Sequence, residues 1–410
     1  MRADQIGPYA SHMLNSVRLL LPDILWQSMH SLKCNRRTSL GQTLELFDAK
    51  QPLQIADQGC FHVSGHYVNS VNSVNGADGR LMVGQMFVQY QIPARQTQPY
   101  PVVMMHGGGQ TGVNFLGTPD GRRGWADYFV ANGYAVYVVD QPGRGRSGYF
   151  GEVYGKSAQR GAESVAERFT APERAKLWPQ AKLHTQWPGA GTPGDAVFDQ
   201  FYASQVESMN DIGAGEQMMR DAGRALLDKI GPSILLTHSQ AGPFGWTIAD
   251  ARPHLVKAIL AIEPNGAPVY EVKFTGAPDY FADDKITRPW GITRNALNFV
   301  PLAPRAQDMR FVKQDKPDGD GLVRCWLQAE PARQLPNLQG IAILIVTAEA
   351  SYHAPYDHGT SLFLKQAGVK HDFVRLADVG IRGNGHMMML EKNNLEIAGY
   401  LDQWVKGNVR

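Results

Sequence analysis

The stretch Ser233–Gly242 reads SILLTHSQAG and decides the expected fold. Its apolar first half predicts a buried β-strand, and the small residues that follow predict a sharp turn into a helix. A serine on such a turn has a strained backbone, so the residues two places before and after it must be small. Around Ser239 these residues are Thr237 and Ala241. The turn points the backbone N–H of Gln240 at any oxyanion beside the serine, which predicts Ser239 as a nucleophile.

Short apolar runs recur along the chain and alternate with helix-length segments. Runs without polar alternation indicate strands covered on both faces, and strands separated by helices predict a mostly parallel, doubly wound α/β sheet. The runs are residues 101–105, 134–139, 233–237, 256–262, 341–347 and 371–376. The helices are expected near residues 123–132, 214–230, 243–251, 361–367 and 388–405. Two earlier runs, residues 61–69 and 81–93, predict a β-hairpin.

Two gaps between these runs, residues 149–212 and 267–337, are too long for simple crossovers. Loops of this length inside a domain usually carry function. We expect cap insertions over the carboxyl ends of the strands, in one domain at residues 57–410 that follows a helical or irregular segment at residues 1–56. Aromatic residues of the insertions predict either an apolar or aromatic pocket or an ordinary cap core: Tyr149, Phe150, Trp178, Trp187, Tyr280, Phe281 and Trp290.

Composition excludes several classes of protein. Among 410 residues, 40 Lys and Arg nearly balance 38 Asp and Glu, which is unlike a general nucleic-acid binder or a polybasic membrane-surface protein. No apolar run approaches the roughly 18 residues of a spanning helix, so we expect a soluble chain. The N-terminal VRLLLPDILW is too short and interrupted for a signal peptide, and the compartment stays open between cytoplasm, periplasm and secretion. Three cysteines fit no zinc pattern and leave the disulfide status open: Cys34, Cys60 and Cys325.

A glycine run, HGGGQ at residues 106–110, directly follows the strand at 101–105. Glycines let backbone amides turn inward without a Cβ in the way, so the run predicts a second oxyanion donor from Gly107, Gly108 or Gly109. Gly108 and Gly109 are the preferred candidates. No Lys-Ser/Thr pair follows, and the glycine spacing of dinucleotide sites is absent, so no cofactor is expected.

One of the 12 histidines, His386, lies in a glycine-bearing loop between the last strand and the final helix. A general base can reach the serine from such a loop, so His386 is the predicted base. The histidine inside the turn, His238, is expected to be structural. Weaker candidates for the base are His353, His358 and His371.

The partner acid has three candidates. Glu263 directly follows the strand at 256–262, where a carboxylate can orient a histidine and stabilise its imidazolium form. Asp357 and Glu349 follow the next strand, which is the more usual position. The residues alone leave this choice open.

These motifs together resemble the α/β-hydrolase superfamily. The resemblance rests on the serine turn, the HGGG loop, YAVYVVDQPGRGRSG at residues 134–148 and the late histidine, and it covers roughly residues 60–408 outside the insertions. IEP after the turn and GNGHMMMLEKNN at residues 383–394 further resemble bacterial serine esterases with a Ser-Glu-His triad whose glutamate follows strand 6. That likeness favours Glu263 as the acid. Thr237 and Ala241 depart from the superfamily's usual glycines.

The resemblance implies hydrolysis of a carboxylic ester through an acyl-enzyme, without a metal or organic cofactor. The expected partner is a small-molecule ester, apolar or aromatic, and not a nucleic acid or a membrane. A homodimer remains open. The alternatives are a lactonase, amidase or acyltransferase with the same residues, and a catalytically silent hydrolase-fold binding protein.

Overall fold

Eight strands form one sheet in the computed structural model, which describes residues 52–71 and 74–410. In chain order they are β1 Ile55–Val71, β2 Asp78–Pro93, β3 Val102–Met105, β4 Val136–Asp140, β5 Ser233–His238, β6 Val256–Ile262, β7 Ala342–Thr347 and β8 Asp372–Arg375. Their order across the sheet is β1-β2-β4-β3-β5-β6-β7-β8. The pairs β1–β2 and β2–β4 are antiparallel and all other pairs are parallel. The predicted hairpin and mostly parallel sheet are therefore confirmed.

Both faces of the sheet are covered by apolar side chains. In β3, Val102 and Met104 belong to the hydrophobic core on one face, whereas Val103 and Met105 belong to the core on the other. All four are at most 1% exposed. A strand buried on both sides has no position for a polar residue, which explains the unbroken apolar runs in the sequence.

Outside the two insertions, the described chain has five helices of seven or more residues, which cover the sheet: α1 Trp125–Ala131, α2 Ile212–Ile230, α3 Gly242–Ala251, α4 Asp357–Gln366 and α5 Asn394–Asn408. The prediction placed the start of α5 six residues too early, near Met388. Met387, Met388 and Met389 are fully buried in a turn that precedes the helix. Their side chains join the core from irregular backbone, which the apolar pattern alone cannot distinguish from a helix.

The two insertions consist of short elements. Residues 149–212 contain the paired strands Ser157–Ala158 and Ser208–Met209, together with the helices Gly151–Tyr154, Ala162–Val165, Ala166–Thr170, Pro172–Ala175, Pro179–Leu183 and Ala196–Ala203. Residues 267–337 contain two antiparallel pairs, Tyr270–Gly276 with Tyr280–Ile286 and Phe311–Lys313 with Trp326–Gln328. The division of the chain at residue 56 stays a prediction, and residues 1–51, with Cys34, lie outside the described residues. In the described ranges no helix is long and apolar enough to span a bilayer.

Helices α2 and α3 pack against each other at a glycine. A Cβ added to Gly223 of α2 would lie 2.3 Å from Cδ1 of Ile248 in α3, and both residues are buried. A Cβ added to Gly215, in the same helix, would meet no atom within 4 Å. The two glycines therefore separate a packing requirement from a difference in helix propensity.

We predict that Gly223→Ala lowers the free energy of unfolding by about 1–3 kcal/mol, because the added methyl group overpacks the contact with Ile248. Gly215→Ala is the matched control and should raise stability by roughly 0.5–1 kcal/mol, since alanine favours the helix. Urea unfolding followed by circular dichroism measures both. Equal effects of the two substitutions would contradict the packing role of Gly223.

Candidate active site

Ser239 lies where β5 ends, in a single turn that leads into α3. Its φ angle is 54°, in the left-handed region that a side chain other than glycine rarely adopts. The carbonyl of Ser239 accepts a hydrogen bond from the N–H of Asn265 at 2.9 Å, which ties the turn to the end of β6. The serine side chain is 7% exposed, so it lies at the bottom of a cavity and not on an open surface.

Two glycines make close approaches at the serine turn: Gly107 of the glycine loop, and Gly242 directly after Ala241. A Cβ on Gly107 would lie 3.0 Å from Cβ of Ser239, and a Cβ on Gly242 would lie 2.5 Å from Cα of Pro264. Thr237 and Ala241 are themselves fully buried. The backbone after β6 approaches the turn at Gly242 and not at Thr237 or Ala241. The turn therefore accommodates the side chains of Thr237 and Ala241.

Glu263 and His386 form a fully buried contact of 2.5 Å between Oε2 and Nδ1. Glu263 follows β6 with a φ of 47°, and its carboxylate also accepts hydrogen bonds from Ala348 N–H at 2.8 Å and Ser351 Oγ at 2.7 Å. Burial and then the charge of Asp357 raise the pKa of Glu263, against the lowering effect of those hydrogen bonds. Burial lowers the pKa of His386 well below its ordinary value, so the imidazole is neutral at neutral pH.

The other two candidate acids have different partners. Asp357 begins α4, and its carboxylate accepts from Thr347 Oγ1 and contacts Nδ1 of His353, each at 2.8 Å. Glu349 contacts Arg382 at 2.9 Å in a loop nearer the surface. Of the three carboxylates, Glu263 is therefore the one that contacts His386.

The other histidines considered as bases have partners of their own, and two of them, His353 and His238, contact His386. His353, held by Asp357, stacks on His386 with ring centroids 4.9 Å apart. Nε2 of His238 lies 3.0 Å from the carbonyl oxygen of His386 and so holds its backbone. His358 contacts the thiol of the buried Cys325, and His371 contacts Ser361.

Tyr352 lies beside His386, and apart from its place shortly after β7 nothing in the sequence indicated a role for it. Its hydroxyl lies 3.4 Å from Nε2 of His386, and Tyr352 lines the same cavity as Ser239. Burial raises the pKa of Tyr352 to about 12, although the charges of Arg160 and Arg168 act in the opposite direction. The phenol is therefore neutral at neutral pH.

The glycine loop lies beside Ser239 and Gln240. The N–H of Gly107 donates to Gln110 Oε1 at 3.3 Å, and the N–H of Gly109 donates to Ser208 Oγ at 3.2 Å. Within the described residues, the N–H of Gly108 has no acceptor. Of the two glycines predicted as oxyanion donors, Gly108 is therefore available and Gly109 is already engaged.

Arg144 joins the glycine loop to the serine turn. It is 4% exposed and donates to the Gly107 carbonyl at 3.0 Å and to Gln240 Oε1 at 2.6 Å. Burial, followed by the charge of Arg160, lowers its pKa to about 10, so it remains cationic at neutral pH. Sequence reasoning missed this residue because its partners are a carbonyl and an amide 37 and 96 positions away.

The loop that carries His386 is held by Glu391 and by the first insertion. Glu391 accepts from the N–H of Gly385 at 2.9 Å and contacts His184 at 2.7 Å. His184 also contacts Glu173 at 3.0 Å, and these two carboxylates raise its pKa to about 9 against the opposing effect of burial. His184 is therefore a buried cation between two carboxylates.

A cavity of about 140 Å³ opens beside Ser239. It is lined by the glycine loop, by the serine turn and by residues of the first insertion and of strand ends, among them Gln159, Arg160, Phe169, Ser208, Asn210, Asn265 and Tyr352. The lining is mixed: eight of its residues have polar side chains, whereas Ala158, Phe169, Val206, Met209 and Ile212 are apolar. The seven insertion aromatics that predicted an apolar or aromatic pocket are absent from the lining described here; Trp178 and Trp187, for example, are buried and pack on Tyr352 and Phe201. Of the two expectations for these residues, cap core therefore holds for Trp178, Trp187 and Trp290, which are at most 8% exposed, and none of the seven lines this cavity.

Glu263, His353 and His386 are also a geometrically possible metal site, with ligand atoms within 4.8 Å of one another. Two of these groups already share the 2.5 Å contact, and Nδ1 of His353 is occupied by Asp357. The arrangement matches a hydrogen-bonded acid and base more closely than a ligand set.

The sheet and the buried cluster at the ends of β5, β6 and β7 define an α/β hydrolase. No protein-family model matches the chain. The chain is 46% identical over 348 residues to "Probable secreted lipase phiG" from Fungal sp. (strain ATCC 74256), which covers 84% of this chain and 88% of that protein. It is also similar to the atomic-resolution structure of a novel bacterial esterase, with 25% identity, a TM-score of 0.58, and 88% of this chain and 98% of that one covered. The chain thus belongs to the α/β-hydrolase family of lipases and esterases, and it is a carboxylic ester hydrolase.

We predict that Arg144→Met lowers both stability and ester hydrolysis. The substitution removes two charge-assisted hydrogen bonds, to the Gly107 carbonyl and to Gln240 Oε1, each worth about 1.5–3 kcal/mol in the free energy of unfolding, and releases the glycine loop from the serine turn. Thermal unfolding and hydrolysis of 4-nitrophenyl acetate measure the two effects. Arg174→Met is the control, because that side chain is 57% exposed and should tolerate the change. Unchanged behaviour of Arg144→Met would show that the arginine does not position the loop.

Proposed function

We propose that Ser239, His386 and Glu263 form a catalytic triad that hydrolyses a carboxylic ester through an acyl-enzyme intermediate. The observation that carries this proposal is the 2.5 Å contact between Glu263 Oε2 and Nδ1 of His386. The contact holds the Nδ1 proton, so the lone pair of the neutral imidazole lies on Nε2, which is 3.4 Å from the hydroxyl of Tyr352.

In this mechanism the hydroxyl proton of Ser239 passes to Nε2 of His386 as Oγ attacks the ester carbonyl. The imidazolium that forms is stabilised by the carboxylate of Glu263, which the Ala348 and Ser351 hydrogen bonds keep in place.

The backbone N–H groups of Gln240 and Gly108 are the proposed oxyanion donors. Gln240 opens the turn after the nucleophile, and Gly108 lies next to it: a Cβ on Gly108 would be 3.3 Å from Gln240 Oε1. One such donor typically contributes about 10²–10³ in turnover. His386 then protonates the leaving alcohol, and water cleaves the acyl-enzyme through the same base.

The cavity favours a compact substrate. Its volume of about 140 Å³ is below the roughly 300–1,000 Å³ of clefts that hold drug-sized ligands. A short acyl group therefore fits this site better than the long chain that the name of the lipase relative would suggest. Lactones and amides would use the same residues, and we propose the open-chain ester because both reported relatives are named lipase or esterase.

We predict that a fluorophosphonate probe labels the protein and that Ser239→Ala abolishes the labelling, because the probe reacts with an activated serine. Turnover of 4-nitrophenyl acetate should fall by at least about 10³-fold in the same variant. Ser361→Ala is the control, since this hydroxyl contacts His371 and is not part of the cavity lining, so labelling should be retained. Labelling that persists in Ser239→Ala would refute the nucleophile.

A second prediction concerns the acid. Glu263→Gln should lower turnover by about 10³–10⁴-fold, because a neutral amide no longer stabilises the imidazolium. Asp357→Asn is a matched control in a buried carboxylate that contacts His353, and its turnover should stay within tenfold of wild type when circular dichroism shows a folded protein. A larger loss of turnover in Asp357→Asn than in Glu263→Gln would identify Asp357 as the acid.

A further inference from the structure

Arg160 is a cation in the cavity without a carboxylate partner. It belongs to the first insertion, lies on the lining beside Ser239 and is exposed. Its guanidinium lies 5.9 Å from the ring centre of Phe169, and it forms no ion pair within residues 52–71 and 74–410. Arg168 likewise contacts the rings of Phe274 and Tyr352 at 5.7 and 5.9 Å, without an ion pair to any described carboxylate.

The charge of Arg160 reaches the groups around Ser239. Burial lowers the pKa values of His386 and Arg144 and Arg160 adds to that effect, whereas burial raises the pKa of Tyr352 and Arg160 opposes it. Glu263, the acid nearest to these groups, is fully buried and occupied by His386. The open part of the cavity therefore has an uncompensated positive charge.

We propose that the ester cleaved at Ser239 carries a negatively charged group, and that Arg160 binds this group. The inference rests on the proposed function and extends it to the class of substrate. A guanidinium recognises carboxylate and phosphate through charge-assisted hydrogen bonds. Gln159 and Asn210, which also line the cavity, offer amide donors to the same group.

An apolar ester fits the lining less well. Covered by an apolar group, the exposed Arg160 and Asn210 would lose access to water without gaining a partner, whereas Phe169, Val206, Met209 and Ile212 offer apolar contact to the uncharged part of a substrate. A short acyl or alcohol group that ends in a carboxylate would match both the cavity of about 140 Å³ and its charge. The chemistry of recognition is the same whether the charge lies on the acyl or the alcohol side.

Arg160 could instead stabilise the oxyanion of every ester. In that case its removal would slow neutral and charged substrates equally. If Arg160 instead recognises a charge on the substrate, its removal should lower kcat/KM for charged esters only. The ratio of kcat/KM for charged and neutral esters therefore distinguishes the two roles.

The test compares kcat/KM for two matched pairs of esters. On the acyl side, 4-nitrophenyl hemisuccinate is paired with 4-nitrophenyl 4-methylpentanoate, and on the alcohol side 4-carboxyphenyl acetate is paired with 4-carbamoylphenyl acetate. In wild type we expect the charged member of at least one pair to be preferred. In Arg160→Gln the charged-to-neutral ratio of that pair should fall by about 10-fold or more, with the neutral ester nearly unaffected.

Arg174→Gln is the matched control, an exposed arginine of the same insertion whose loss should leave both ratios unchanged. The pair whose ratio falls identifies the side of the ester that carries the charge. Ratios that stay constant in Arg160→Gln, or equal losses for both members, would overturn the inference while leaving the triad intact. Absence of hydrolysis and of fluorophosphonate labelling in wild type would instead reject the proposed function.

Discussion

The buried contact between Glu263 and His386 is the interaction on which the rest of the site depends. It joins two side chains with no solvent exposure that are 123 positions apart in the chain. A carboxylate in such a place is tolerated only when hydrogen bonds replace the water it has lost, and here Ala348 and Ser351 supply them. The ends of β6 and β7 and the loop after β8 are thereby bound to one another.

The residues at the ends of β5 and β6 have strained backbone conformations. Ser239 and Glu263 both adopt positive φ angles where neighbouring parallel strands end. Such conformations persist only where the surroundings over-determine them, and they cluster at functional sites. The N–H of Asn265 bonded to the Ser239 carbonyl, and the tight approach of Gly242 to Pro264, connect these two turns directly. A backbone shift at the end of β5 would therefore also displace the backbone at the end of β6.

The first insertion contributes both to the support of the His386 loop and to the cavity beside Ser239. Its residues Glu173 and His184 brace Glu391, which holds the loop of His386, and its residue Arg160 places a positive charge in the cavity. The sheet and its loops carry the groups proposed for the reaction, and the insertion adds Gln159, Arg160 and Phe169 to the lining of the cavity. For that reason the volume and charge of the cavity are better guides to the substrate than the shared fold.

Local sequence determined the sheet, the serine turn and the glycine loop, because a strand buried on both faces needs an unbroken apolar run and a sharp turn needs small residues. The same local signals named Ser239, His386 and Gly108. Only the tertiary structure decided that Glu263 and not Asp357 contacts His386, since both follow a strand and the sequence does not specify which carboxylate the histidine loop reaches. Tyr352, Arg144 and Arg160 likewise became visible only in three dimensions, because their partners are distant in the chain. The sequence also left the insertion aromatics open between a pocket and core, because hydrophobicity alone does not distinguish a side chain that lines a cavity from one that packs in the core.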